Sequence, residues 1–396
     1  MTDTREKMTS RERVLACLKG LPTDRVPVMY WLNPHAAVRL MAEFQPANSK
    51  IWNFVGRWLW KKFAGGGEFD AKEIWRALPL LYTLYANNDY ALELGADMAQ
   101  VPFGTTEYWG KLYRENGKIR AKDGFGSIRG MGGIYLEVIE PAIKNIDDLK
   151  NFRFPDVSSD RNFDRIRKYR QKHPDVCIFT DNFGVQDLPT SQMFEMSQMM
   201  IALYEYPDEI KQFQQNFADY MIDIGRRSIK AGADIIFMYD DYGYTNRTLI
   251  SMDMWKEFTY PHLKRMIEAF HDAGAPVMLH SCGYQMPFLE YYVEAELDAL
   301  QTFQLKAGND FEKAYAEFGD KFTFNTGIDI QLGEQMTPEE LREDILRSYR
   351  IGGRNGRHII GMSHMLQYTM PIENMRMIFK TVNEIQAGVH DSRVDR

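Results

Sequence analysis

Short apolar runs alternate along this chain with longer stretches in which apolar residues return every three or four positions. The runs suit strands buried on both faces, the longer stretches suit amphipathic helices, and their alternation is that of βα units around a parallel sheet. Eight strand candidates stand out. They are "VPVMYW" (26–31), "DMAQVPF" (97–103), "VCIFTD" (176–181), "DIIFMYD" (234–240), "PVMLH" (276–280), "DALQTF" (298–303), "FTFNT" (322–326) and "HIIGM" (358–362). The stretch "MWKEFTYPHLKRMIEAFHDAG" reads as a helix, with Phe258, Leu263, Met266, Ile267 and Phe270 near helical spacing and Gly274 as its stop. Eight strands with helices between them predict an α/β fold of the TIM (β/α)8 barrel type, with a doubly wound open sheet as the alternative. Polar residues concentrated at the C-terminal ends of the strands favour the barrel.

Two regions break the simple repeat. Residues 33–95 predict a helix-rich N-terminal insertion with clustered aromatics: Trp52, Phe54, Trp58, Trp60, Trp75, Tyr82 and Tyr85. Residues 107–140 alternate and carry Asn116-Gly117, the signature of a β-hairpin excursion. Neither has linker composition, so residues 1–396 read as a single domain with two elaborations.

Composition narrows the class. The chain has 396 residues, 44% of them hydrophobic, a net charge of −7 and no block of Lys or Arg. That speaks against nucleic acid and against an anionic membrane surface as partners. Cys17, Cys177 and Cys282 are odd in number and widely spaced, which suits a reducing cytoplasm better than a disulfide framework. No apolar run approaches the ~18 residues of a membrane span. Oligomeric state stays open, a homodimer included.

In a barrel, chemistry gathers where strands exit into the βα loops. The residues there are Asp181 and Asn182, then Asp240, Asp241, Tyr242 and Tyr244, then His280, Cys282, Gln304, Asp329, Ser363 and His364. "VMLHSCGY" (277–284) places an imidazole and a thiol one residue apart at a strand end. Thiolate plus imidazole suits Zn2+ over Mg2+ or Ca2+, and three protein ligands would leave a position open for substrate. Plainer readings stand beside this one. A buried Cys commonly acts as a small hydrophobe, Cys282 could be a nucleophile with His280 or His364 as base, and Asp240 and Asp241 could be helix caps. Tyr239, Tyr242, Tyr244, Phe183, Trp31 and Phe103 are expected around the rim, either as walls for a planar ligand or as ordinary core.

Several stretches in order resemble the uroporphyrinogen decarboxylase superfamily: "MTSRERVLACLKGLPTDRVPV", "GADIIFMYDDYG", "PHLKRMIEAFHDAG", "HSCG" and "MSHMLQYTMPIENM". The resemblance spans residue 9 to about 386 and implies a TIM barrel. Its decarboxylase branch grips an octacarboxylate tetrapyrrole with arginines just after the first strand. Here "MYWLNPHAAVRL" offers only Arg39. Its corrinoid-linked methyltransferase branch carries His-x-Cys after the fifth strand and a distant third ligand, commonly Cys, after the last. On this chain those positions are His280, Cys282 and His364.

The resemblance therefore implies a zinc methyltransferase that works with a corrinoid (cobalamin). One direction activates a thiol, such as coenzyme M, toward a methyl-corrinoid. The other polarises a methoxy oxygen while reduced cobalt takes the methyl group. One Cys with two His leans toward ether cleavage and a methoxylated aromatic. Asp181 and Asp241 are then the candidate catalytic carboxylates; Asn182, Tyr239, Tyr242, Tyr244, Gln304 and Asp329 are the candidate substrate contacts. No Asp-x-His-x-x-Gly motif occurs, so the corrinoid is expected on a separate partner protein. A decarboxylase and a non-catalytic ligand-binding barrel remain as rival expectations.

Overall fold

Each of the eight apolar runs forms a strand in the computed structural model, which describes residues 7–43, 89–104, 111–116, 118–132, 135–186, 193–353 and 355–390. We number them β1 (Val28–Met29), β2 (Met98–Gln100), β3 (Cys177–Phe183) and β4 (Ile235–Tyr239). The second half comprises β5 (Val277–His280), β6 (Ala299–Gln301), β7 (Thr323–Ile328) and β8 (His358–Met362). They form one parallel sheet in the order β1-β8-β7-β6-β5-β4-β3-β2. The two end strands meet where the Asp97 N–H donates to the Val28 carbonyl (2.8 Å) and the Val28 N–H to the Asp97 carboxylate (3.0 Å). The result is a nearly closed TIM barrel.

Side chains alternate across each strand, so one parity fills the barrel and the other packs under the helices. Met29, Met98, Phe179, Ile235, Phe237, Met278, Ala299 and Ile359 fill the interior. Their outward neighbours, among them Ile178, Ile236, Met238, Leu279 and Leu300, join the larger core shared with the helices.

Helix α1 (Ser10–Leu18), started by a capping box between Thr9 and Glu12, plugs the N-terminal end of the barrel with Val14, Cys17 and Leu18. Arg13, only 3% exposed, ties this plug down through Asp24 (2.6 Å) and Asp97 (2.7 Å). Burial pushes the Cys17 thiol up to about 12 and holds Cys177 well above its ordinary value, so both are inert packing groups.

The outer layer includes α2 (Asp164–Lys172), α3 (Pro207–Ala231), α4 (Tyr260–Asp272), α5 (Pro338–Gly352) and α6 (Ile372–Gln386). The single helix expected over 254–274 is two, Met252–Phe258 and α4, because Pro261 in the first turn of α4 has no N–H to continue the earlier one. Gly274, at φ +90°, closes it as expected.

The excursion at 107–140 exceeds a single hairpin. It is a four-stranded antiparallel meander over Lys111–Glu115, Lys118–Lys122, Ile128–Gly132 and Tyr135–Glu140. Asn116 occupies its first turn at φ +49°. Of the 33–95 insertion, residues 44–88, with all seven clustered aromatics, lie outside the described residues. Among the described residues, no helix is long and apolar enough to cross a membrane.

Candidate metal centre

His280 is the last residue of β5, Cys282 stands two residues beyond it, and His364 stands two residues beyond β8. The barrel brings these three together although more than eighty residues separate the pair from the third. One ligand atom from each lies within 4.8 Å of the other two, the one grouping of this kind among the described residues. His280 Nε2 and Cys282 Sγ are 3.3 Å apart, and the two imidazole ring centres are 5.8 Å apart. Around a tetrahedral Zn2+, with bonds of roughly 2.0 Å to nitrogen and 2.3 Å to sulfur, ligand atoms stand about 3.3–3.7 Å apart. The three side chains therefore fit a zinc ion with small rotations.

The protonation pattern fits as well. Gln301 donates through Nε2 to the Met362 carbonyl (2.9 Å), which turns its Oε1 toward His280 Nδ1. An amide oxygen only accepts, so Nδ1 carries the proton and Nε2 presents its lone pair toward Cys282. Burial lowers His280 to about 4, and burial with the neighbouring His280 lowers His364 to about 4, so both rings are neutral ligands near pH 7. Trp31, 5% exposed, packs against both, with ring centres 5.1 Å from His280 and 5.3 Å from His364.

The loop that carries Cys282 is held from three directions. Asp241 Oδ1 accepts from the Cys282 N–H at 2.7 Å and lies 3.8 Å from His280 Nε2. Gln304 Oε1 accepts from the Gly283 N–H at 2.8 Å. Gly283 adopts φ +82°, and a Cβ there would come within 2.3 Å of the Gly243 backbone. Only glycine meets both demands, which accounts for the "HSCG" spacing.

The remaining expected residues divide by strand parity. Asp181 and Tyr239 point inward and meet: Tyr239 Oη donates to Asp181 Oδ1 at 2.9 Å, and the Tyr239 ring lies 5.6 Å from His280. Phe183 stacks on Tyr239 at 5.6 Å. Asn182, one residue on, points the other way and donates to the Met221 carbonyl in α3. Tyr242 is fully buried against Trp255 and Phe288, in the core between strands and helices. Phe103 is likewise buried in that outer core.

Tyr244 stands out at the rim, 56% exposed, on a two-residue ribbon under Arg247. Asp329 caps the short helix Ile330–Gly333, accepting from the Gln331 and Leu332 N–H groups. Asn182, Tyr242 and Phe103 thus do not line the mouth with the metal centre, and Asp329 has a capping role.

Two residues at the barrel mouth were missing from the expected set. Gln301 orients His280, and Gln100 donates to both Asp181 (2.6 Å) and Tyr239 (2.7 Å). The signal was available: an amide inside an apolar parallel strand is costly unless it is hydrogen-bonded.

A family model described as Uroporphyrinogen decarboxylase (URO-D) matches residues 137–385, more than half of the chain. The chain belongs to that family. Relatives include the uroporphyrinogen decarboxylase of Saccharophagus degradans, 23% identical over 51% of this chain and 55% of the relative. The uroporphyrinogen decarboxylase of Hydrogenovibrio crunogenus is 21% identical over 64% of this chain and 72% of its own length. The chain thus spans little more than half of the first of these. Among solved structures, a methyltransferase from Methanosarcina mazei superposes with a TM-score of 0.67 over 96% of this chain and 99% of that one, at 18% identity. That likeness is one of fold.

Proposed function

We propose that this chain is a zinc-dependent methyltransferase that takes the methyl group of a small methylated donor, a methoxylated aromatic, and passes it to the cobalt of a separate corrinoid protein. The observation that carries the reading is the convergence of His280, Cys282 and His364 at the barrel mouth. Bound there, Zn2+ would supply Lewis acidity to the methoxy oxygen, making the aryl oxide a leaving group as reduced cobalt takes the methyl carbon. A centre with one thiolate and two neutral imidazoles leaves more positive charge on the metal than a thiolate-rich one, which favours ether cleavage over thiol activation.

The chain's own residues have distinct tasks in this reading. Gln301 fixes the tautomer and direction of His280, while Asp241 and Gln304 hold the Cys282 loop. Trp31, Tyr239 and Phe183 give a cluster of rings against which an aromatic substrate would gain burial. Asp181 supplies a polar contact beside that cluster.

A decarboxylase of anionic tetrapyrroles is the rival that the relatives' names suggest. Arg39, the arginine available after the first strand, is engaged by the backbone carbonyls of Tyr368 and Met370 rather than by the barrel mouth.

Purified protein should carry close to one zinc per chain by elemental analysis, and His280→Ala should lose it while keeping its fold. With reduced corrinoid protein, 2-methoxyphenol should yield methylated cobalt with the wild type and none with the variant. Methyl-corrinoid consumed by a thiol, without any ether cleavage, would reverse the direction proposed. A wild type free of zinc after zinc-supplemented growth would end the reading.

A further inference from the structure

Three inward-facing polar side chains on adjacent strands β2, β3 and β4 meet beside the metal centre without belonging to it. The hydrogen bonds that reach Asp181 from the other two are specific. Gln100 Nε2 donates one hydrogen to Asp181 Oδ1 (2.6 Å) and the other to Tyr239 Oη (2.7 Å), and Tyr239 Oη donates its hydrogen to Asp181 Oδ1 (2.9 Å). Oδ1 therefore has both lone-pair directions filled. Among the described residues none donates to Oδ2, although Asp181 is only 6% exposed, and Oδ2 is not among the polar atoms sealed in without a partner. It opens onto the mouth that Tyr239 shares with His280, their rings 5.6 Å apart and their strands in register.

A carboxyl group serving only to knit three strands would have both oxygens engaged, because a half-satisfied buried carboxyl is costly. Here one oxygen is pinned by two donors and the other is aimed at the site. Such pinning pre-organises the group for a ligand.

We propose that Asp181, held by Gln100 and Tyr239, accepts a hydrogen bond from a hydroxyl on the non-reacting part of the substrate, so that methoxyphenols are preferred over fully O-methylated arenes. The inference rests on the methoxyarene reading of the metal centre. A substrate hydroxyl satisfies Oδ2; an O-methyl group in its place leaves that oxygen buried without a donor. Sites built to pair a polar group reject analogues that lack it far more strongly than apolar pockets reject an extra methyl. A hydrogen bond to a charged buried group corresponds to about ten- to hundred-fold in affinity.

The test is calorimetric binding of 2-methoxyphenol and 1,2-dimethoxybenzene to the zinc-loaded full chain, which needs no corrinoid partner and no turnover. Wild type should bind the phenol about ten- to hundred-fold tighter. Asp181→Asn keeps an oxygen for Gln100 and Tyr239 but turns an N–H toward the mouth. It should bring the ratio to near one or invert it, with zinc content unchanged. Equal affinities in the wild type overturn the proposal without any variant, as does a wild-type ratio surviving in a folded Asp181→Asn. Failure of both probes to bind removes the methoxyarene reading itself and this inference with it, a result distinct from equal binding.

Discussion

Gln301 does its work on His280 through a single amide whose two ends are both committed. Its Nε2 is fixed on Met362, so its Oε1 has no freedom to swap places, and the imidazole inherits that orientation. Removing such a partner from a metal-bound histidine typically costs ten- to hundred-fold in affinity. Gln301→Leu should therefore bind zinc about ten- to hundred-fold more weakly in competition with a chromogenic chelator. Its far-ultraviolet circular dichroism should match the wild type. Undiminished affinity would mean that Trp31 packing alone sets the ring, and the assigned role of Gln301 would fall.

Strands were readable from the chain because parallel strands are buried on both faces and appear as continuous apolar runs between helical stretches. The same property hid which face each polar residue takes. Asp181 and Asn182 both stand at the end of β3, and rim position alone makes both candidates, but a period of two sends one inward and the other to Met221. Counting parity back from His280 through its register partners, Tyr239 and Gln301, would have selected the inward set. Tyr242 and Asp329 were out of reach of any such count, since they lie in loops whose path is decided by packing and capping.

The plug at the opposite end was equally unmarked: nothing in "TSRERVLACLKG" announces that Arg13 will be buried between two carboxylates. Removing one partner of a buried pair costs about 3–5 kcal/mol. Arg13→Met leaves Asp97 with Arg25 as its cationic partner among the described residues and should destabilise the fold by about that amount in denaturant titrations. Zinc affinity should stay unchanged, because this network is at the far end of the barrel from His280. A coupled loss of zinc would show that the two ends are not independent.

Burial of titratable side chains inside the barrel sets how the protein responds to acid. His280, His358 and His364 are each lowered to about 4, with burial the leading cause, while burial raises the Asp181 carboxyl to about 6. For a ring lowered in the folded state, the unfolded chain takes up a proton near pH 6.5 that the folded chain refuses. Stability therefore falls as pH drops through that value, and the loss levels off near 4. Asp181 works in the opposite sense: between about pH 4 and 6 the folded chain keeps a proton that the unfolded chain has released, so its contribution is lost as pH rises through that window.

His262 is lowered to about 4 as well, so four rings stand against the three carboxyls that burial raises, Asp181, Asp241 and Asp329. Metal-free protein should lose stability steadily from pH 7 to 5 in denaturant melts. His358 separates this effect from metal binding, since its Nε2 donates to the Thr326 carbonyl (3.0 Å) in the core, away from the mouth. Its ring resonances in nuclear magnetic resonance should stay at their neutral positions down to pH 5. His271, raised by its bond to Asp298, should already be protonating above pH 6.5. A flat stability profile with His358 titrating in the folded state would show that water reaches the rings, and the neutral-ligand argument for His280 and His364 would lose its physical basis.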